Sequence, residues 1–179
     1  MRIRPARPED AAALARIYVA AWRDAYAGIL PAAMLVGMSD VRHAAAWQRE
    51  LAARDRHSET LLAEDGDGVL GLVSIGPARR ASLAQPEGGE IYRLYVAPVR
   101  QGEGAGKRLL MASLDWLIAR DVDAVIVWVL ADNPARFFYE AMGGRRLGEK
   151  TESLAGVKVR EIAYGWTDLV TALDRLAAK

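Results

Sequence analysis

Glycines stand at positions 102, 104 and 106, inside Gln101-Gly102-Glu103-Gly104-Ala105-Gly106. Glycine lets backbone approach a ligand closely and take turns that other residues resist. Residues 90–96 before them read as a strand stopped by Pro98. A helix carrying Leu109, Leu110, Leu114, Leu117 and Ile118 follows. Such a turn offers several N–H groups and the positive end of a helix to phosphate oxygens. The same glycines would also serve a plain tight β–α connection. Two nucleotide loops are excluded by spacing. A P-loop ending at Gly106-Lys107 needs glycine where Gln101 stands and Ser or Thr where Arg108 stands. A dinucleotide fingerprint starting at Gly102 or Gly104 needs glycine where Lys107 or Leu109 stands.

The remaining elements have to hold this turn. Residues 2–6 read as a short strand. A helix then opens at Pro8-Glu9-Asp10 and runs to about Gly28, with Leu14, Ile17, Tyr18, Ala21 and Ala25 at helical spacing. A short helical piece is expected at 31–37, and a helix capped by Asp40 through Arg54. Strands at 59–64 and 69–75 flank the turn Asp65-Gly66-Asp67-Gly68. Residues 77–89 form a loop, a lid or simply a connection. Residues 124–130, AVIVWVL, are continuously apolar, as in a central strand covered on both faces. A short helix from Pro134 to Met142, strands at 145–150 and 157–166, and a terminal helix after Thr167 complete an α/β chain.

Composition narrows the rest. The 179 residues suit one compact domain over 1–179, large enough to bury about two-thirds of its extended surface without a staple. With no cysteine, thiol nucleophiles, thiolate metal sites and disulfides are excluded. His43 and His57 are far apart and form no ligand spacing, so no metal is expected. A net charge of +1 with dispersed bases gives no argument for nucleic acid or an anionic membrane. The start has no apolar run of signal-peptide length and no stretch reaches a membrane span. A cytoplasmic protein is the expectation.

The motif at 101–106, placed between strand and helix and followed by AVIVWVLADNPARFFYEAMG, resembles the GNAT superfamily of acetyl-CoA-dependent N-acetyltransferases. That family's pattern is [QR]-x-x-G-x-[GA], matched here in full; the specific likeness spans about 90–144. The resemblance implies a mixed, strongly twisted sheet of six or seven strands flanked by helices. Its central parallel strands, 90–97 and 124–131, would splay apart with coenzyme A between them. The implied cofactor residues are Gln101, Gly102, Glu103, Gly104, Ala105, Gly106 and Lys107 at the pyrophosphate. Leu94, Tyr95, Val96 and Ala97 would run along the pantetheine arm, with Asn133 and Arg136 also near the cofactor. No metal is implied.

Tyr139 stands where family members place a tyrosine facing the thioester sulfur, as general acid. Glu90 resembles the base glutamate of histone-type members; it would take an ammonium proton or bind a cationic acceptor. WRDAYAGILP, residues 22–31, looks like the acceptor-pocket wall of a bacterial subgroup, which assigns Trp22, Tyr26 and Ile29 to the acceptor. Trp22 would equally fill core, and Asn133 would equally cap the next helix. Arg79 and Arg80 suit either an acidic acceptor or solvent. Gly144 replaces the usual core aromatic, so Trp128 or Phe138 is expected to supply the volume; Arg7 is a poor helix cap. The function implied is acetyl transfer to a primary amine of a small molecule or protein by direct attack in a ternary complex, by a monomer or homodimer. The alternative is an inactive acyl-CoA-binding regulatory or structural protein.

Overall fold

The structure is a computed structural model that describes residues 1–53, 55–79 and 88–178. Arg54, Arg80, Pro86 and Glu87 therefore lie outside the described residues. The elements run β1 (Arg2–Pro5), α1 (Ala11–Ala25), α2 (Ala32–Val36), α3 (Asp40–Ala53), β2 (Glu59–Asp65), β3 (Gly68–Pro77), β4 (Gly89–Val96), α4 (Ala105–Ile118), β5 (Val125–Leu130), α5 (Ala135–Ala141), β6 (Arg145–Leu154), β7 (Val157–Trp166) and α6 (Leu169–Ala177). Among the described residues the strands form one seven-stranded sheet in the order β1-β2-β3-β4-β5-β7-β6. All neighbours are antiparallel except β4 and β5.

Helical spacing of small and apolar residues decides which faces are covered. Leu14 and Ile17 of α1 and Trp47 of α3 pack on Leu62 and Leu72. On the other face, Leu109, Leu110, Leu114 and Leu117 of α4 bury with Leu169 and Leu176 of α6 against Val73, Ile91 and Val127. Burying one such leucine contributes roughly 1.5–3 kcal/mol, so this face anchors α4 firmly to the sheet. The third cluster joins Leu30 and Leu35, around α2, to Leu130 and Val159.

Several local expectations change. The first helix stops at Tyr26, whose N–H still reaches the Trp22 carbonyl at 3.1 Å. Helix α3 begins at Asp40, and the residue that accepts at its start is Ser39, from the Arg42 N–H at 3.4 Å. Arg7 caps nothing with its side chain; Asp10, three residues on, takes the Arg7 N–H at 2.8 Å. Strand β6 extends four residues beyond 150, to Leu154, because Ala155 (φ 52°) and Gly156 (φ 80°) make a two-residue hairpin turn. Strand β5 is fully buried on one face only: Val125, Val127 and Val129 are buried, while Ile126 and Trp128 are half-buried. The volume beside Gly144 is filled neither by Trp128 nor by Phe138 but by Trp166. A Cβ at Gly144 would lie 3.0 Å from that indole.

The parallel pair is short: Gly89, Glu90 and Ile91 pair with Val125, Ile126 and Val127, and no further. The cause is visible on the other edge of β4. There Ile75 faces Ile91 but Ser74 faces Arg93, so Tyr92 is an extra residue, a β-bulge. A bulge bends its strand and breaks the ladder. It falls immediately after the last β4–β5 pair, and the two strands part from that point.

Candidate active site

The parting strands open a cavity of about 500 Å³, a size that fits a small-molecule site. Leu94 and Val96 of β4, Val127 and Val129 of β5, and Phe138 and Tyr139 of α5 line its centre. At one end stands the glycine turn. Gly102 and Gly104 both have φ +83°, the left-handed region, and a Cβ at either would meet nothing within 4 Å. They are glycines because of backbone conformation. Gly106 has ordinary backbone, but a Cβ there would approach the Phe138 ring to 3.3 Å. Gly104 caps α4 without a side chain, and no acceptor among the described residues takes the amides of Ala105, Gly106 or Lys107. Three donors at a helix start therefore face the cavity, the arrangement that holds an anion.

The charged groups at this end divide. Lys107 lines the cavity without a carboxylate partner among the described residues. Arg100 also lines it but is committed to Asp65 at 2.6 Å and Glu103 at 2.8 Å. Those contacts tie the turn to the β2–β3 hairpin and neutralise Glu103, which is not among the residues lining the cavity. Arg136 is likewise not in the lining; it lies over Phe137 at 4.0 Å and faces Glu140 at 3.7 Å. Ala97 also stands outside it, its N–H bonded to the Leu70 carbonyl at 2.8 Å. Leu94, Tyr95, Val96, Gln101, Gly102, Gly104, Ala105, Gly106, Lys107 and Asn133 are brought together there.

Tyr139 is 5% exposed, its ring set between Phe138 at 5.3 Å and Tyr164 at 6.3 Å. Burial pushes its phenol well above the ordinary value, and no hydrogen bond within the described chain offsets that burial. The hydroxyl is thus protonated and unengaged, on the wall of the cavity. Asn133 is buried, and its Oδ1 takes the Ala135 N–H at 2.8 Å. The capping role is therefore real, and the same residue also faces the cavity.

Glu90 is not brought to this cavity. It lies at the paired start of β4, before the bulge, where its carboxylate takes the Arg79 N–H at 2.9 Å and faces the Arg79 guanidinium at 3.4 Å. Arg79 in turn covers the Tyr92 ring at 3.8 Å. On the wall beside α1, Tyr26 lines the cavity and Trp22 stands behind it, ring centres 4.7 Å apart. The Trp22 N–H donates to the Tyr95 hydroxyl at 2.9 Å. Ile29 packs in the cluster around Leu30 and Leu35 and is outside the lining.

Sequence reasoning missed Tyr92, Arg93, Trp128 and Met142, which also line the cavity. Arg93 follows the extra residue of the bulge and faces α3, paired with Glu50 at 2.9 Å over the Trp47 ring. Nothing in a single sequence marks that bulge. Trp128 did carry a signal: an indole in the strand that faces the glycine turn. Among the described residues no three metal-ligating side chains converge, and no helix is long and apolar enough to cross a membrane.

The chain is 31% identical to an uncharacterised N-acetyltransferase, YuaI, of Bacillus subtilis over 169 residues, 93% of each chain. Its fold is shared with the ribosomal-protein-alanine N-acetyltransferase of Brucella melitensis (24% identity, TM-score 0.71, 93% of this chain and 99% of that one). It is shared also with yncA of Salmonella typhimurium, a putative acetyltransferase solved with its cofactor acetyl-CoA (20%, TM-score 0.66, 93% of each). The profile of the acetyltransferase (GNAT) family matches residues 14–144, from the first turn of α1 to the glycine before β6. The chain belongs to the acetyltransferase (GNAT) family.

Proposed function

We propose that the cavity takes acetyl-CoA between β4 and β5, and that the chain, acting as one domain, transfers the acetyl group to a primary amine by direct attack. The observation that carries this is the presence on one cavity of two donor sets that are unengaged among the described residues. Three free amides and Lys107 at the glycine turn suit a pyrophosphate. The buried Tyr139 phenol, without a hydrogen-bond partner among the described residues, suits a sulfur. Acetyl-CoA, when bound, supplies an acyl carbon already activated and a thiolate as leaving group. The chain has no cysteine to take the acetyl group itself, which favours one step over two.

The residues then divide the work. The β4 edge left unpaired beyond Ile91 offers backbone donors and acceptors to an extended arm. Asn133 closes the far side of the gap. Tyr139 donates a hydrogen bond to the sulfur as the carbon–sulfur bond breaks and the carbon–nitrogen bond forms. The ammonium proton passes to solvent: Glu90, occupied by Arg79 outside the cavity, is not the group that takes it. Calorimetry with coenzyme A tests binding, and thiol release against a panel of amines tests turnover. Saturable binding with release for at least one amine is expected. Binding without release from any amine would mark a carrier rather than an enzyme, and absence of binding would refute the reading.

A further inference from the structure

Helix α5 carries the Tyr139 phenol but has little of its own to hold that phenol still. It is seven residues long, too short to be stable alone. Tyr139 is its one buried side chain, while Phe137 is 55% exposed. The Tyr139 hydroxyl has no hydrogen bond among the described residues, so nothing at its own end fixes its aim. The start of the helix is held by Asn133, whose Oδ1 takes the Ala135 N–H at 2.8 Å. Its last turn is held from β7. The Tyr164 hydroxyl donates to Glu140 Oε1, and the Trp166 N–H donates to the Met142 carbonyl at 3.1 Å. The two bonds grip the chain just after Tyr139.

Tyr164 is buried and stands opposite Val127 in the β5–β7 ladder. Val127 lines the cavity; Tyr164 itself does not. The Tyr164 ring stacks with that of Tyr139, centres 6.3 Å apart and planes at 24°. Its hydroxyl reaches the next residue of α5, Glu140, whose carboxylate only accepts. Stacked rings tolerate centre separations from about 4.5 to 7 Å, so ring contact alone lets α5 roll slightly about its axis. A hydrogen bond to a charged acceptor is directional and stronger than one between neutral groups, and it removes that freedom. We infer that Tyr164 is a positioning residue for the transfer: through Glu140 it fixes the roll of α5 and so aims the Tyr139 hydroxyl at the sulfur. A displacement of about 1 Å at a reacting group can cost about 100-fold in rate. Tyr164 keeps its own proton and touches no reacting atom. This inference rests on the reading of Tyr139 as the donor to sulfur.

Thiol release at saturating acetyl-CoA and amine reads the effect. Tyr164→Phe keeps the ring stack and leaves Glu140, whose side chain is 43% exposed, to water. It should lower kcat by about 3- to 30-fold, with both KM values and the affinity for coenzyme A within about twofold. Glu140→Ala breaks the same bond from the surface of α5 and should act alike. Glu140→Gln keeps an acceptor oxygen and should retain at least about half of kcat. The deciding measurement places Tyr164→Phe in Tyr139→Phe. With no hydroxyl left to aim, the second substitution should change kcat by less than about 1.5-fold. If circular dichroism shows Tyr164→Phe to be misfolded, Glu140→Ala takes its place in that comparison. A kcat within twofold in folded Tyr164→Phe or in Glu140→Ala overturns the proposal, as does an equal loss in Glu140→Gln and Glu140→Ala. A loss just as large in the Tyr139→Phe background also overturns it, because the bond would then serve the fold alone. Each of these leaves the Tyr139 reading standing. If Tyr139→Phe by itself retains full kcat, that reading falls and this proposal with it.

Discussion

Replacing Tyr139 by phenylalanine removes one oxygen from a buried ring and leaves its packing in place. The ring keeps its contacts with Phe138, Tyr164 and Trp166. The lost hydroxyl has no hydrogen bond within the described chain, so unfolding free energy should change by less than about 0.5 kcal/mol. The effect on turnover follows from the direction of the phenol's shift. Burial holds it above its ordinary value, while a free thiol has a pKa of about 8.5. Full proton transfer from phenol to thiolate is thus uphill by at least about 1.5 pH units, roughly 2 kcal/mol. The phenol therefore works by a hydrogen bond to charged sulfur, worth about 1.5–3 kcal/mol. Tyr139→Phe should lower kcat by about 10- to 150-fold, with the KM of acetyl-CoA within about twofold. The assay is steady-state thiol release with saturating acetyl-CoA from about pH 6 to 9.5, with urea unfolding on the same preparations. In the unsubstituted protein no alkaline limb from this phenol should appear in that range, since the raised pKa keeps it protonated. A kcat within twofold for every accepted amine would refute the reasoning. So would a stability loss above about 1.5 kcal/mol, which would mean the hydroxyl has a structural partner.

Other outcomes follow from the same geometry. Gly104→Ala places a side chain at φ +83° and should cost about 1–2 kcal/mol in urea unfolding and weaken coenzyme A in calorimetry. Gly106→Ala only asks the Phe138 ring to give slightly and should cost less on both counts. Gly144→Ala brings a Cβ to 3.0 Å from both the Trp166 ring and the Tyr139 carbonyl, and should destabilise by about 1–3 kcal/mol. Trp166→Ala should cost about 3–5 kcal/mol by opening a cavity under Tyr139 and should lower kcat as well. The Arg4 guanidinium holds the Asp10 carboxyl below the usual carboxylate range. The folded state thus binds fewer protons there than the unfolded one. Its stabilisation is present above the unfolded pKa of about 4 and is lost as pH falls through the lower folded value. Asp10→Asn should flatten that acid limb in urea midpoints measured against pH, and lower neutral stability by about 1 kcal/mol.

Much of the local structure was legible in the residues because its causes are local. The glycine turn, the helix after it and the β2–β3 hairpin each follow from neighbouring residues: positive-φ glycines, leucine spacing, a two-residue turn. Helix ends were read less well, because capping is decided by one atom, as with Ser39 and Asp10. Among the candidate site residues, those on β4 beyond the bulge, most of the turn, Asn133 and Tyr139 line one cavity, since one strand–turn–helix unit carries most of them. Trp22, Ile29, Glu90, Ala97, Glu103 and Arg136 stand outside the lining, because the direction of a side chain is set by how it packs and pairs in the closed fold, as Glu90 does with Arg79 and Arg136 with Glu140.

The sequence by itself determined a cysteine-free α/β chain with a glycine turn between strand and helix, since composition and short-range spacing suffice for both. Tertiary structure alone decided where the cleft opens. One extra residue, Tyr92, interrupts the β3–β4 register and ends the β4–β5 ladder at Ile91. It also decided that Trp166 fills the space beside Gly144. The third decision was that Trp22 stands behind Tyr26, bonded to Tyr95 from 73 residues away. Register, packing volume and hydrogen-bond direction are properties of pairs, and the members of these pairs meet only when the sheet has closed.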